Sequence, residues 1–82
     1  MKNQEVISLF VVGAIKGKTK NLKIEGNKLV NYNTVIAVRK PNHVLLNSDK
    51  YSSTTSKIQN MIRNIAPVVV EISEQDIKKA VL

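Results

Sequence analysis

Lys16, Lys18, Lys20, Lys23 and Lys28 crowd into one short stretch in which Glu25 is the only carboxylate. Ammonium groups at this density suit a phosphate backbone, where charge neutralisation and counterion release supply the affinity. On extended backbone alternate residues share a face, so Lys16, Lys18 and Lys20 would stand in a row. The same row also suits a solvated edge strand that lysines protect from aggregation, and the sequence leaves both uses open. Arg39, Lys40, Lys57 and Arg63 enlarge the basic set.

Two further groupings bear on anion or base contact. Ser52-Ser-Thr-Thr-Ser-Lys57 precedes a helical pattern, and the unpaired N–H groups of a helix start favour negative charge. The hydroxyls of Thr54, Thr55 and Ser56 beside Lys57 form a candidate anion site, with ordinary capping as the alternative. Tyr32, next to Asn33, is a candidate stacking platform, with Tyr51 as a second. The other account makes both rings half-buried with their hydroxyls at the surface. Phe10, the remaining aromatic, sits in an apolar run and reads as core.

Catalytic constellations are thin. There is no cysteine, which excludes a disulfide framework, a thiol nucleophile and a zinc knuckle. His43 is the one histidine, placed after a Pro-Asn turn. Metal-dependent nucleases need converging carboxylates, whereas Glu5, Glu25 and Asp49 lie on separate elements. A Ser52, His43 and Asp49 set can be written, but such accidental triples occur in any chain. No G-x-x-x-x-G-K-[ST] occurs, so there is no nucleotide-binding loop of that kind. The expectation is a protein that is not an enzyme and uses no cofactor and no metal.

The elements that must position these residues follow from a chain of 82 residues, 43% of them hydrophobic. That is room for one domain, residues 1–82, with a thin core. Thirteen Lys and Arg against six Asp and Glu give a net charge of +7, and the excess lies wholly in the first three quarters of the chain. Val6–Val12 is rich in β-branched residues and reads as a buried strand, although a short helix fits as well. Gly13 and Gly17 permit a sharp turn or a bulge. Asn21–Glu25, a Gly26-Asn27 turn and Lys28–Tyr32 form a β-hairpin signature. Thr34–Lys40 and His43–Asn47 continue the strands across Pro41-Asn42.

The period then changes. Ile58, Met61, Ile62 and Ile65 share one helical face, behind hydroxyls that cap the start and ahead of Pro67, which stops the helix. Val68–Ile72 is a further strand, and Ser73 with Asp76 opens a short helix over Glu74–Val81. The order β-β-β-(β)-α-β-α predicts an α+β domain: an antiparallel meander of three to five strands packed on one main helix, about 53–65, with a short C-terminal helix.

Gly17-Lys-Thr-Lys-Asn-Leu-Lys-Ile-Glu25, Asn31-Tyr-Asn-Thr-Val-Ile-Ala37, Leu46-Asn47 and Lys50-Tyr-Ser-Ser-Thr-Thr-Ser-Lys-Ile-Gln59 belong together. This set resembles a small domain of phage, plasmid and other mobile-element proteins, with a Y-N-T-x-I-A segment followed by K-Y-S-x-T-T-S-K. The likeness spans roughly residues 16–65. It implies a mobile-element setting and a self-contained fold, and it brings no catalytic role.

The leading expectation is therefore a non-catalytic accessory protein that binds DNA or RNA mainly through backbone phosphates. The competing one is an inhibitor or counter-defence protein that docks on a host protein, its lysines steering the encounter. Val6–Ile15 is about half the length a membrane span needs, and no signal-peptide pattern is present, so no membrane association and a cytoplasmic location are expected. A sheet covered by one helix leaves its second face in water, which leads to the expectation of a homodimer.

Overall fold

The apolar run near the start of the chain is a helix. In the computed structural model, which describes residues 2–80, α1 spans Asn3–Val11 and buries Val6, Ile7 and Phe10 completely. These positions lie on one helical face, and that spacing overrides the strand preference of the β-branched residues. Gly13, with φ 109°, is the residue after the C-cap. Its N–H donates to Phe10 O at 3.2 Å and the Ala14 N–H donates to Leu9 O at 2.9 Å. This is the Schellman termination, which needs positive φ and hence favours glycine.

Six strands follow in one sheet: β1 (Lys16–Lys18), β2 (Leu22–Glu25), β3 (Lys28–Asn31), β4 (Thr34–Arg39), β5 (Val44–Asn47) and β6 (Val69–Ile72), in the order of the chain. The first five are antiparallel neighbours, and β6 pairs parallel to β5. A parallel return requires a crossover, and α2 (Ser53–Ile65) supplies it. The short helix α3 (Glu74–Ala80) closes the described chain; the expected end at Val81 lies outside it. The α+β class, the helix over 53–65 and the C-terminal helix agree with the sequence reading. Three to five strands in a purely antiparallel meander on one main helix do not. Among the described residues the sheet has six strands and is mixed, and there are three helices.

Alternation divides the sheet into two faces. Leu22 and Ile24 of β2, Leu29 of β3, Ala37 of β4, and Val44 and Leu46 of β5 join Val6, Ile7 and Phe10 of α1 and Ile58 and Ile62 of α2 in the main core. A bulge between β3 and β4, where the register slips at Leu29/Val30, leaves Ile36 without a partner of its own. Ile36 and Ala37, although adjacent, thereby both reach this core. On the opposite face α3 packs over β4 and β5, with Val38 and Ile77 fully buried. That helix covers part of the face that the sequence reading leaves to water or to a second copy. Among the described residues no helix is long and apolar enough to cross a membrane.

Candidate nucleic-acid interface

On β1, β2 and β3 the second face carries lysines around Glu25 and the buried Val30. The Gly26-Asn27 turn sets Glu25 opposite Lys28, and thus Lys23 opposite Val30. Lys16 stands opposite Glu25 and Lys18 opposite Lys23. Because Leu22, Ile24 and Leu29 point into the core, Lys16, Lys18, Lys23 and Lys28 all point away from it. Lys16, Lys18 and Lys23 are exposed and Lys28 is half-buried. Glu25 is the sole carboxylate in this register, and its Oε1 lies 2.8 Å from Lys23 Nζ. The hydrogen bond from Lys23 holds the Glu25 carboxyl below its ordinary range.

Lys20 does not continue the row of Lys16 and Lys18, because β1 ends at Lys18 and the chain turns. Thr19 fixes that turn. Its N–H donates to Leu22 O at 2.7 Å, and its hydroxyl donates to Asn3 Oδ1 of α1 at 2.6 Å. Lys20 is thus presented at the tip, exposed, beside Tyr32 of the β3–β4 turn, whose N–H donates to Asn21 O at 3.1 Å. Lys18, Lys20, Lys23, Val30 and Tyr32 line a cleft of about 270 Å³. Tyr32 is 64% exposed and holds φ at 56°, the one described residue other than glycine in the left-handed region.

The rest of the expected basic footprint is scattered. Arg39 is a structural residue: its Nη1 donates to Phe10 O at 2.6 Å and Ala14 O at 3.0 Å, its Nη2 to Gly26 O at 3.3 Å. Its guanidinium also lies over the Phe10 ring, 5.2 Å from the centroid. Lys57 and Arg63 sit on α2, which packs on the other face of the sheet. Arg63 donates to Asn60 Oδ1 at 2.8 Å and Glu71 Oε1 at 2.7 Å. That contact raises the Arg63 guanidinium and holds the Glu71 carboxyl below its ordinary range. Lys40 is half-buried in the β4–β5 turn, its N–H donating to His43 O at 2.8 Å.

The candidate anion site is used for capping. The Ser52 hydroxyl accepts from the Thr55 N–H at 3.3 Å. Thr55 is buried, and its hydroxyl donates to Asn31 Oδ1 at 2.8 Å. Thr54 is exposed and Ser56 half-buried, so the three hydroxyls do not converge on solvent. Tyr51 is 39% exposed, accepts from Asn47 Nδ2 at 2.9 Å, and has its phenol raised above the ordinary value by burial. It lies on the link into α2. Among the described residues no three of His, Cys, Asp and Glu come together to hold a metal ion.

The sequence reading set Lys16, Lys18 and Lys20 in a row along one strand. Cross-strand register groups Lys16, Lys18, Lys23 and Lys28 instead, and the signal that could have revealed it is the Gly26-Asn27 turn, which fixes the pairing of β2 with β3. No protein-family model, no curated protein and no solved structure matches the chain.

Proposed function

We propose that the chain is a cytoplasmic, non-catalytic nucleic-acid-binding protein that grips backbone phosphates with the lysine face of β1, β2 and β3. The setting implied by the resemblance makes it an accessory factor of a mobile element. One observation carries the reading: four lysines from three neighbouring strands share one surface, and its only carboxylate is already paired with Lys23. Lys16, Lys18, Lys20 and Lys28 remain free to neutralise phosphates. Four such contacts correspond to a log–log salt slope of roughly −3.6 on a duplex and −2.8 on a single strand.

The test is titration of a labelled oligonucleotide at several salt concentrations. Replacing Lys16, Lys18 and Lys28 together by Gln is expected to reduce the steepness of the slope by about 2.7 on a duplex and about 2.1 on a single strand. Lys57→Gln, on the other side of the sheet, is expected to change neither slope nor affinity. A triple variant that keeps the wild-type slope overturns the proposal.

A second reading has its own observation. Val12 is 80%, Ile15 62% and Val68 51% exposed. Val12 and Val68 border a cleft of about 470 Å³ with Lys40, Pro41 and His43. Exposed apolar surface rimmed by polar groups is the mark of a protein-docking site, as an inhibitor of a host protein would need. Absence of any nucleic-acid binding at low salt would favour it. The expected homodimer is also proposed, now across β6: this edge exposes Val68 and Val70, whereas β1 at the other edge carries Lys16 and Lys18.

A further inference from the structure

We propose that the ligand of the lysine face is single-stranded, and that the cleft between the β1–β2 turn and Tyr32 takes one unpaired nucleotide. Its base stacks on the Tyr32 ring, and its flanking phosphates meet Lys18 and Lys20. The inference rests on the phosphate-binding reading above and adds to it the class of nucleic acid.

Three observations converge on Tyr32. The first is its backbone. A bulky L-residue at φ 56° is strained, and two-residue hairpin turns normally place Gly, Asn or Asp in such positions. The fold has no need of an aromatic there, since Gly26 serves the adjacent hairpin with φ 62°. The second is exposure: the residue is 64% exposed and so adds little to the core. The third is company. The residue shares its cleft with Lys18, Lys20 and Lys23, and with Val30, which is only 6% exposed. An accessible ring beside ammonium groups is the pairing that single strands use, because each base offers a π-face and each linkage a charge. A duplex keeps its base faces in the stack and offers none to Tyr32.

Fluorescence anisotropy on the full chain tests this, with an unstructured deoxythymidine oligonucleotide and a blunt-ended, two-strand duplex of equal phosphate count, compared at several matched salt concentrations. The single strand is expected to bind more tightly. Tyr32→Asn suits the turn, because Asn tolerates left-handed backbone, so the variant folds. It is expected to weaken single-strand binding roughly 5- to 150-fold, the worth of one stacked base. The salt slope and the duplex affinity are expected to stay unchanged, and Tyr32→Phe to bind as the wild type does. Equal affinity for both oligonucleotides, with no effect of Tyr32→Asn, overturns the single-strand assignment and leaves the phosphate reading standing. Equal weakening of both by Tyr32→Asn overturns it too, since stacking on an unpaired base cannot weaken duplex binding. If the wild type binds neither oligonucleotide at low salt, both readings fall.

Discussion

Arg39→Ala is expected to unfold the protein more easily and to leave nucleic-acid affinity alone, the reverse of what a surface phosphate contact would do. The side chain rises from β4 and spends one charge on three carbonyls. Those of Phe10 and Ala14 lie in the last turn of α1 and just beyond it, that of Gly26 in the β2–β3 turn. A helix C-terminus carries orphan carbonyls and a partial negative charge, so a cation there both fills acceptors and meets the dipole. A hydrogen bond from a charged donor is worth about 1.5–3 kcal/mol. Adding three at that rate would overcount. The Gly26 contact is exposed, and ordering an arginine costs about 2 kcal/mol of rotamer entropy. Two part-buried bonds, the contact with Phe10 at 5.2 Å and the packed stem, less that entropy, leave about 2–4 kcal/mol. The whole domain is worth about 4–12 kcal/mol at ordinary stability per residue.

Urea unfolding followed by circular dichroism should therefore show a large fall in midpoint at unchanged m. Thermal unfolding should shift by roughly 10–30 °C, at about 4–8 °C per kcal/mol for a domain of this size. Arg39→Lys, which keeps the charge but not the fork that spans the acceptors, should recover less than half of the loss. Below the transition, the variant's salt slope on a labelled oligonucleotide should equal that of the wild type. An Arg39→Ala protein within about 0.5 kcal/mol of the wild type, the range of neutral surface changes, with a slope lower by one, would refute this reasoning.

Thr55→Val removes the donor to Asn31 Oδ1, an atom of a residue only 2% exposed. The expected cost is about 1–3 kcal/mol by chemical denaturation, with no change in phosphate or oligonucleotide binding. A cost below about 0.5 kcal/mol would return Thr55 to the candidate anion site. For the homodimer, light scattering at micromolar concentration should give twice the chain mass. Val70→Lys, a charge placed on the β6 edge, should return it to one. A wild type that scatters as a single chain refutes the dimer.

What the sequence determined by itself is everything that depends on neighbours along the chain. Gly26-Asn27 with alternating residues on either side defines the β2–β3 hairpin locally. Ile58, Met61, Ile62 and Ile65, bounded by Ser52 and Pro67, define α2, and Ser73 with Asp76 defines the start of α3, where the Asp76 N–H donates to the Ser73 hydroxyl at 3.2 Å. Even α1 was legible in part, as the short helix that fits Val6–Val12 as well as a strand does, but its β-branched residues pull the reading towards a strand, a preference that is weak against burial of one face. Net charge was equally plain. What each cation does with its charge was not. Arg39 is taken by carbonyls 29, 25 and 13 residues away in the chain, and Arg63 by Glu71 on the strand that follows its helix. Lys16, Lys18, Lys23 and Lys28 become one surface only when three strands align and their apolar neighbours turn to the core. The parallel pairing of β6 with β5 is likewise set by the α2 crossover, and the bulge at Ile36 by the core it fills. These are choices among distant partners, made by burial and by the need of every buried carbonyl and hydroxyl for a mate, and no local pattern encodes them.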